Sequence, residues 1–284
     1  MFINKKSAYI IMSAILVAII AYTGIYVICA QKPAPDIPSE IISEEIISES
    51  EETVQADIIY YDKTWYENAA ANCSDIFLPY NNTNTNYITE TVFVGDSNTE
   101  GLALFGHLSA DYVIGKHSMP IQGVTKDNYQ LICEDDPQTE EDESSYITML
   151  QVLANIQPKR IIINFGTNNA GKDADADYFA YIYSGVLSQI KAACPNTMIV
   201  VGSVLPVCSE RDNYNIRQDT IDRFNIAIAD ICREYGCGYL NYNEIFKDSE
   251  TGYGKTDYFS VDGIHLNGSG YRLLLDYVTN HQYN

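Results

Sequence analysis

The chain has 284 residues, of which 46% are hydrophobic, so it is long enough to form one large domain or two small ones. Its 38 acidic residues against 17 basic ones give a formal net charge of −21 at pH 7. This balance argues against a nucleic-acid-binding protein, because phosphate recognition needs clustered Lys and Arg side chains.

The N-terminal segment predicts a membrane anchor. Residues 8–30 contain no charged side chain, and about 20 apolar residues are enough to span a bilayer. A cleaved signal peptide has a shorter apolar core and ends in small residues, whereas this run ends in Ile-Cys-Ala. We therefore expect an uncleaved single-pass anchor. Because Lys5 and Lys6 precede it, residues 1–7 should be cytoplasmic and the rest of the chain should lie outside the cell.

A stalk is predicted after the anchor. Residues 31–56 are rich in Pro, Ser and Glu, and such a segment has too little apolar surface and too much like charge to fold alone. We expect it to hold a globular domain, residues 57–284, away from the membrane.

Strand-like and helix-like segments alternate within this domain, with an acidic surface loop near residues 133–145. In chain order the pattern predicts a strand at 91–94, a helix from Asn98, a strand at 111–115, a helix at 146–156, a strand at 160–165, a helix at 177–194, a strand at 197–204, a helix at 219–236 ended by Gly236, a strand at 238–242 and a helix at 269–280. Continuous apolar strands separated by helices are typical of a parallel sheet covered on both faces. In such sheets active sites form at the carboxyl ends of the strands.

Gly95-Asp96-Ser97 follows the first predicted strand directly and allows two interpretations. Ser97 with Glu100 three residues later fits a capping box, in which both side chains satisfy free backbone N–H groups at a helix start. The same serine at the end of a parallel strand could instead be a nucleophile. These residues alone favour neither interpretation.

A serine nucleophile needs a base, and the base needs a group that orients it. The chain has only four histidines, and one of them, His265, follows Asp262 by three residues. That spacing lets the carboxylate reach the imidazole ring. The alternative is that Asp262 caps a helix and His265 is a surface residue.

Acyl transfer also needs hydrogen-bond donors for the negative oxygen that develops on the substrate. The Ser97 N–H at a helix start, the N–H of Gly123 and the side-chain amide of Asn168 are candidate donors. A turn glycine at 123 and an Asx turn or helix cap at 168 are the structural alternatives.

These motifs in this order resemble those of the SGNH (GDSL-type) hydrolase family over roughly residues 90–280. The matching segments are VGDSN, SMPIQGVT, FGTNN and VDGIHLN, which contain Ser97, Gly123, Asn168 and His265. The resemblance implies an α/β fold, a three-layer α/β/α sandwich with a parallel, flavodoxin-like sheet. It also implies esterase chemistry that uses no metal and no organic cofactor.

The resemblance assigns a role to each candidate. Ser97 is the nucleophile, His265 the base that later returns the proton, and Asp262 the group that orients His265. Ser97, Gly123 and Asn168 form the oxyanion hole.

Two positions depart from the family pattern, and one motif residue has no assigned reaction step. Asn169 replaces a usual Asp, which we expect to change a supporting contact only. Ser118 stands where glycine is frequent, which weakens the assignment of Gly123. Asp96 is expected to brace the turn rather than to react.

Six cysteines lie outside the predicted anchor. Because this part of the chain is expected on the oxidising, outer side of the membrane, an even number of cysteines permits disulfides. Buried free thiols are an equal alternative. The six cysteines are Cys73, Cys133, Cys194, Cys208, Cys232 and Cys237. No spacing among them resembles a zinc site.

We therefore predict an extracellular serine esterase at a bacterial cell surface. Its substrate is expected to be an acyl ester, with O-acetyl groups on polysaccharide preferred, and neutral glycans favoured over anionic polymers because of the chain's acidity. The alternatives are a lipase or lysophospholipase, an O-acetyl transferase, and a catalytically silent glycan-binding domain that uses some of the 23 tyrosines.

Overall fold

A computed structural model describes residues 61–133, 145–212 and 215–283, without the side chains of residues 131–133. The predicted anchor at 8–30 and the predicted stalk at 31–56 lie outside these residues and remain predictions. Within the described ranges, no helix has the length and apolar character that crossing a membrane requires.

The described residues form strands and helices that alternate along most of the chain. The strands are β1 Thr91–Gly95, β2 Val113–Gly115, β3 Gln130–Cys133, β4 Ser145–Ile147, β5 Arg160–Asn164, β6 Met198–Gly202 and β7 Gly238–Leu240. The helices are α1 Lys63–Asn72, α2 Ser97–Leu104, α3 Gly123–Lys126, α4 Met149–Ile156, α5 Ala176–Ala193, α6 Gln218–Tyr235, α7 Asn243–Phe246 and α8 Gly268–Asn280.

Five strands form one parallel sheet in the order β2-β1-β5-β6-β7. Numbered along the chain within this sheet, the order is 2-1-3-4-5, which is the flavodoxin-like arrangement. The α/β prediction, with a parallel sheet between two helical layers, is therefore confirmed. Strands β3 and β4 pair with each other as a separate antiparallel hairpin, which the sequence did not predict.

Alternate residues of each central strand point to opposite faces of the sheet, and each face has its own buried cluster. On β1, Val92 and Val94 pack with α4, α5 and α6, whereas Phe93 packs with α2 and α8. On β5, Ile161 and Ile163 share the first face with Val92. Because both faces are covered, the strands are apolar throughout, which is why their positions could be read from short apolar runs.

Most predicted boundaries lie within two residues of the observed ones, but the helix predicted at 146–156 starts later. It begins at Met149, because Thr148 and Gln151 form a capping box there. The Thr148 hydroxyl accepts a hydrogen bond from the Gln151 N–H at 3.2 Å, and the Gln151 side chain accepts one from the Thr148 N–H at 2.8 Å. The Thr-x-x-Gln pattern was a readable signal for this start.

Gly95 allows helix α2 to begin almost directly at the end of strand β1. A Cβ atom at this position would lie 2.1 Å from Thr99 Oγ1 and 2.5 Å from the Asn164 carbonyl oxygen. Gly95 also pairs with Asn164 of β5 in the sheet register, so the ends of β1 and β5 lie side by side. Because Gly95 has no side chain, the end of β1, the start of α2 and the end of β5 can lie close together. The candidate site residues Ser97 and Asn168 follow shortly after these strand ends.

We expect Gly95→Ala to lower the free energy of unfolding by about 1–3 kcal/mol, as overpacking in a tight core does. Gly185 is the matched control, because it lies in the middle of α5 and a Cβ there would meet nothing within 4 Å. Gly185→Ala should raise stability by up to about 1 kcal/mol. Urea unfolding of both variants measures this, and a neutral Gly95→Ala would contradict the close approach.

Candidate active site

Asp96, not Ser97, caps the helix that begins after β1. The Asp96 carboxylate accepts a hydrogen bond from the Asn98 N–H at 3.1 Å, and the Asp96 carbonyl accepts one from the Glu100 N–H at 2.9 Å. The interpretation of Ser97 as the capping residue is therefore wrong, because the preceding residue, Asp96, caps the helix. Because Asp96 performs the capping, the Ser97 hydroxyl remains available for another partner.

That partner is His265. The Ser97 hydroxyl donates a hydrogen bond to His265 Nε2 at 2.8 Å, and His265 Nδ1 donates one to Asp262 Oδ2 at 2.6 Å. In this tautomer Nε2 has a free lone pair and can accept the serine proton. The structure thus brings together the three residues that the sequence predicted as catalytic, from segments 168 residues apart.

The Asp262 carboxylate also organises the loop that carries His265. Its second oxygen accepts hydrogen bonds from the backbone N–H groups of Ile264 and His265, each at 3.0 Å. Burial alone raises the pKa of the Asp262 carboxyl, but these bonds and the one from the His265 ring together lower it below the usual value. An ionised carboxylate in this position can stabilise a protonated His265.

Asn98 is a site residue that the sequence reasoning missed. Its side-chain nitrogen donates to the Ile264 carbonyl oxygen at 3.3 Å, and its side-chain oxygen accepts from the Leu266 N–H at 3.0 Å. Asn98 therefore holds the backbone on both sides of His265, and only 8% of its surface is exposed. No local pattern predicts this, because the partners lie far away in sequence.

Two of the predicted oxyanion donors fit that role. Ser97 is the first residue of α2, so its N–H has no acceptor within the helix. Asn168 follows β5 in a short turn and is exposed, and its side-chain nitrogen donates to the Met119 carbonyl oxygen at 3.2 Å. An amide nitrogen carries two hydrogens, so this bond orients the group and leaves one hydrogen for a ligand.

Gly123 does not offer a free N–H. Its N–H donates to the Pro120 carbonyl oxygen at 2.9 Å, so the predicted role as an oxyanion donor needs correction. The glycine serves packing instead, because a Cβ there would lie 2.7 Å from Met119 Cγ. Ser118 has φ of +56°, the left-handed conformation that favours glycine, which matches the glycine frequent at this place in the family.

Asn169 makes the supporting contact that was expected for the departure from the usual Asp. Its side-chain oxygen accepts from the Ile121 N–H at 3.1 Å, and its nitrogen donates to Gln122 Oε1 at 3.0 Å. An aspartate could make only the first of these bonds. The substitution therefore joins two turns without involving the oxyanion donors.

The Asp96 side chain is buried, directly before the nucleophile in sequence. Burial raises the pKa of its carboxyl to about 7, although the Asn98 N–H and the charge of His265 act in the opposite direction. Asp96 also borders a cavity of about 20 Å³, to which Asn164, Thr167 and Tyr242 contribute. That volume accommodates one group of the size of a water molecule.

The cysteines whose side chains are described are free and buried: Cys73, Cys194, Cys208, Cys232 and Cys237. They bear out the free-thiol alternative for these five, and the side chain of Cys133 is outside the described set. In the described ranges, no group of three or more His, Cys, Asp or Glu side chains is arranged to hold a metal ion.

The sequence model of the GDSL-like lipase/acylhydrolase family matches residues 93–273, a stretch that contains every candidate residue above. A search of curated protein sequences found no match. Among solved structures, the chain is similar to a GDSL-like lipase from Bacteroides thetaiotaomicron, with 18% identity, a TM-score of 0.49, and coverage of 75% of this chain and 94% of that one. It is also similar to a lipase/acylhydrolase from Enterococcus faecalis, with 16% identity, a TM-score of 0.47, and coverage of 66% and 92%.

We expect Asn98→Ala to lower kcat for p-nitrophenyl acetate hydrolysis roughly 10²-fold with little change in KM, because misplacing His265 by about 1 Å is enough for such a loss. Gln282→Ala is the matched control. Gln282 is another buried amide with hydrogen bonds to backbone groups, of Asn84 and Thr279, outside the catalytic turns. This control should lower the melting temperature and leave kcat unchanged, whereas equal kcat values for both variants would contradict the assignment.

A pH-dependent stability is expected from Asp96. Its carboxyl has a pKa of about 7 in the folded chain and about 3.9 when unfolded, so the folded state binds more protons between these values. The stabilisation is complete below pH 4 and is lost as the pH rises through 7.

Asp96→Asn keeps a capping oxygen and removes this titration. Between pH 5 and pH 8 the free energy of unfolding should fall by about 2–3 kcal/mol more in the wild type than in the variant. Urea unfolding across this range measures the difference, and parallel profiles would show that Asp96 is ionised throughout.

Proposed function

The chain belongs to the GDSL-like lipase/acylhydrolase family, whose members are serine hydrolases that act on ester bonds, and from this premise we propose that it removes O-acetyl groups from carbohydrate outside the cell. The observation that carries the hydrolytic part is the continuous chain of hydrogen bonds from Ser97 through His265 to Asp262. A catalytically silent domain has no physical need for this alignment.

In the first half of the proposed reaction Ser97 Oγ attacks the ester carbonyl carbon. Its proton moves to His265 Nε2, and the carbonyl π electrons move to the oxygen, which accepts hydrogen bonds from the Ser97 N–H and the Asn168 amide. When the tetrahedral intermediate collapses, the C–O bond to the sugar breaks and the sugar oxygen takes the proton from His265 Nε2. The acyl group remains on Ser97.

In the second half a water molecule attacks the acyl carbon and gives its proton to His265 Nε2. Collapse returns that proton to Ser97 Oγ and releases the free acid. Asp262 keeps Nδ1 protonated throughout and stabilises the imidazolium in both halves.

A small cavity is lined by the sequence neighbours of two reacting residues. Residues from both reacting turns border it, Asp96 next to Ser97 and Thr167 next to Asn168. Its volume of about 20 Å³ is enough for one group of the size of a methyl group, and the side chains of Ser97, Asn168 and His265 do not line it. We propose acetyl esters rather than the lipid esters of a lipase, and the chain-length profile of ester hydrolysis tests this choice.

The proposed location follows from the N-terminal sequence, which predicts a single-pass anchor at 8–30 and a stalk at 31–56. A domain held there would meet polymers of a bacterial cell surface. Outside residues 1–57 and 134–143, 23 acidic residues remain against 14 basic ones, so repulsion disfavours anionic polymers as substrates.

The proposal is tested by two assays on the full chain, with Ser97→Ala as the control. We expect acetate release from O-acetylated neutral polysaccharides, and p-nitrophenyl ester hydrolysis that falls steeply from acetate to octanoate. Ser97→Ala should lower kcat on the order of 10⁶-fold in both assays, as loss of the nucleophile does in other serine hydrolases.

Other outcomes would contradict particular parts of the proposal. A preference for octanoate would favour the lipase alternative. Acetate transfer to an added sugar in place of release would favour the transferase. Full activity in Ser97→Ala would remove Ser97 from the mechanism.

A further inference from the structure

A second, larger cavity begins one residue beyond the oxyanion amide. It has a volume of about 430 Å³, within the range of small-molecule sites, and Asn169 lies in its wall directly after Asn168. Gln122 contributes from the turn before α3, and the first turns of α5 form the other side. One short turn, Thr167–Asn169, thus carries both an oxyanion donor and part of the wall of this cavity.

Aromatic side chains form one wall of this cavity. Tyr178 lies in the first turn of α5, where the Asp175 carboxylate accepts a hydrogen bond from its N–H at 2.7 Å, and 64% of its surface is exposed. Phe179 and Phe224 also line the cavity; both are buried, and their rings stack with centroids 3.7 Å apart. A large exposed aromatic ring on a capped helix offers flat contact area at little cost in conformational entropy.

The remaining wall of the cavity carries both hydrogen-bond donors and a hydrogen-bond acceptor. Lys126 and Asp173 border the cavity, and among the described residues neither side chain has an ion pair or hydrogen-bond partner. The Gln122 side-chain nitrogen also lacks an acceptor there, because the bond to Asn169 uses only its oxygen. Hydrogen-bond donors and an acceptor thus line the same cavity as Tyr178.

We infer that this cavity is a subsite for a neutral sugar ring of the substrate, which rests on the proposed function and specifies where its glycan binds. A pyranose ring has an apolar face that can pack on Tyr178. Its hydroxyl groups both donate and accept, so they can bond to Asp173 and to Lys126 or Gln122. One sugar ring can therefore pack on the aromatic wall and form hydrogen bonds with the polar wall.

Other ligands fit less well. A fatty acyl chain would remove water from Lys126 and Asp173 without replacing their hydrogen bonds, which is costly. An anionic sugar would gain from Lys126 but would be repelled by Asp173 and Asp175, which share the cavity.

The test measures binding rather than turnover. Full-length Ser97→Ala is titrated by calorimetry with a panel of O-acetylated neutral tetrasaccharides built from xylose, glucose, mannose or N-acetylglucosamine. Adding Tyr178→Ala should weaken the tightest complex about tenfold, and adding Lys126→Met should also weaken it. Tyr181→Ala is the matched control, because Tyr181 lies on the same helix, is 77% exposed and does not border the cavity.

Equal affinity with and without Tyr178, or no binding of any tetrasaccharide, would overturn the subsite. A second result would also overturn it. If Tyr178→Ala, in a chain that keeps Ser97, changed the preference among p-nitrophenyl esters of different chain length, the cavity would hold acyl groups instead of a sugar. Failure of the proposed function is seen separately, as the absence of Ser97-dependent acetate release from polysaccharide.

Discussion

The hydrogen bond from the Asn98 N–H to the Asp96 carboxylate is the contact on which the site depends. A helix start needs a side-chain acceptor, and two adjacent residues could supply one. Because Asp96 does so, the Ser97 hydroxyl can point to His265 while the Ser97 N–H stays at the positive end of α2. One carboxylate thus frees both the attacking atom and one of the groups that would stabilise the oxyanion.

The rest of the site is built around that turn by contacts between distant segments. Gly95 allows α2 to start against the end of β5, and Asn98 fixes the backbone on both sides of His265. At the end of β5, Asn164 Oδ1 accepts a hydrogen bond from the Tyr242 hydroxyl at 3.0 Å, beside the turn that carries Asn168. Neutral side chains, those of Asn98, Asn164 and Tyr242, therefore support the turns that the Asp96 and Asp262 carboxyl groups organise.

The sequence was sufficient for the fold class and for the grouping of Ser97, Asp262 and His265, because apolar runs mark buried strands and the motifs follow the strand ends. It could not decide between Asp96 and Ser97 as the cap, since both residue types cap helices and they are neighbours. Asn98 was out of reach because its partners lie more than 160 residues away. Gly123 was misassigned because a packing glycine and a donor glycine look alike in sequence.

The most direct test of the central claim is covalent labelling of the full chain with a fluorophosphonate, which reacts with activated serine hydroxyls, followed by peptide mass spectrometry. The structure predicts one modified peptide, with the label on Ser97, and loss of labelling in Ser97→Ala and in His265→Ala. Labelling at a different serine, or an unlabelled chain that is fully folded, would show that Ser97 is not an activated nucleophile.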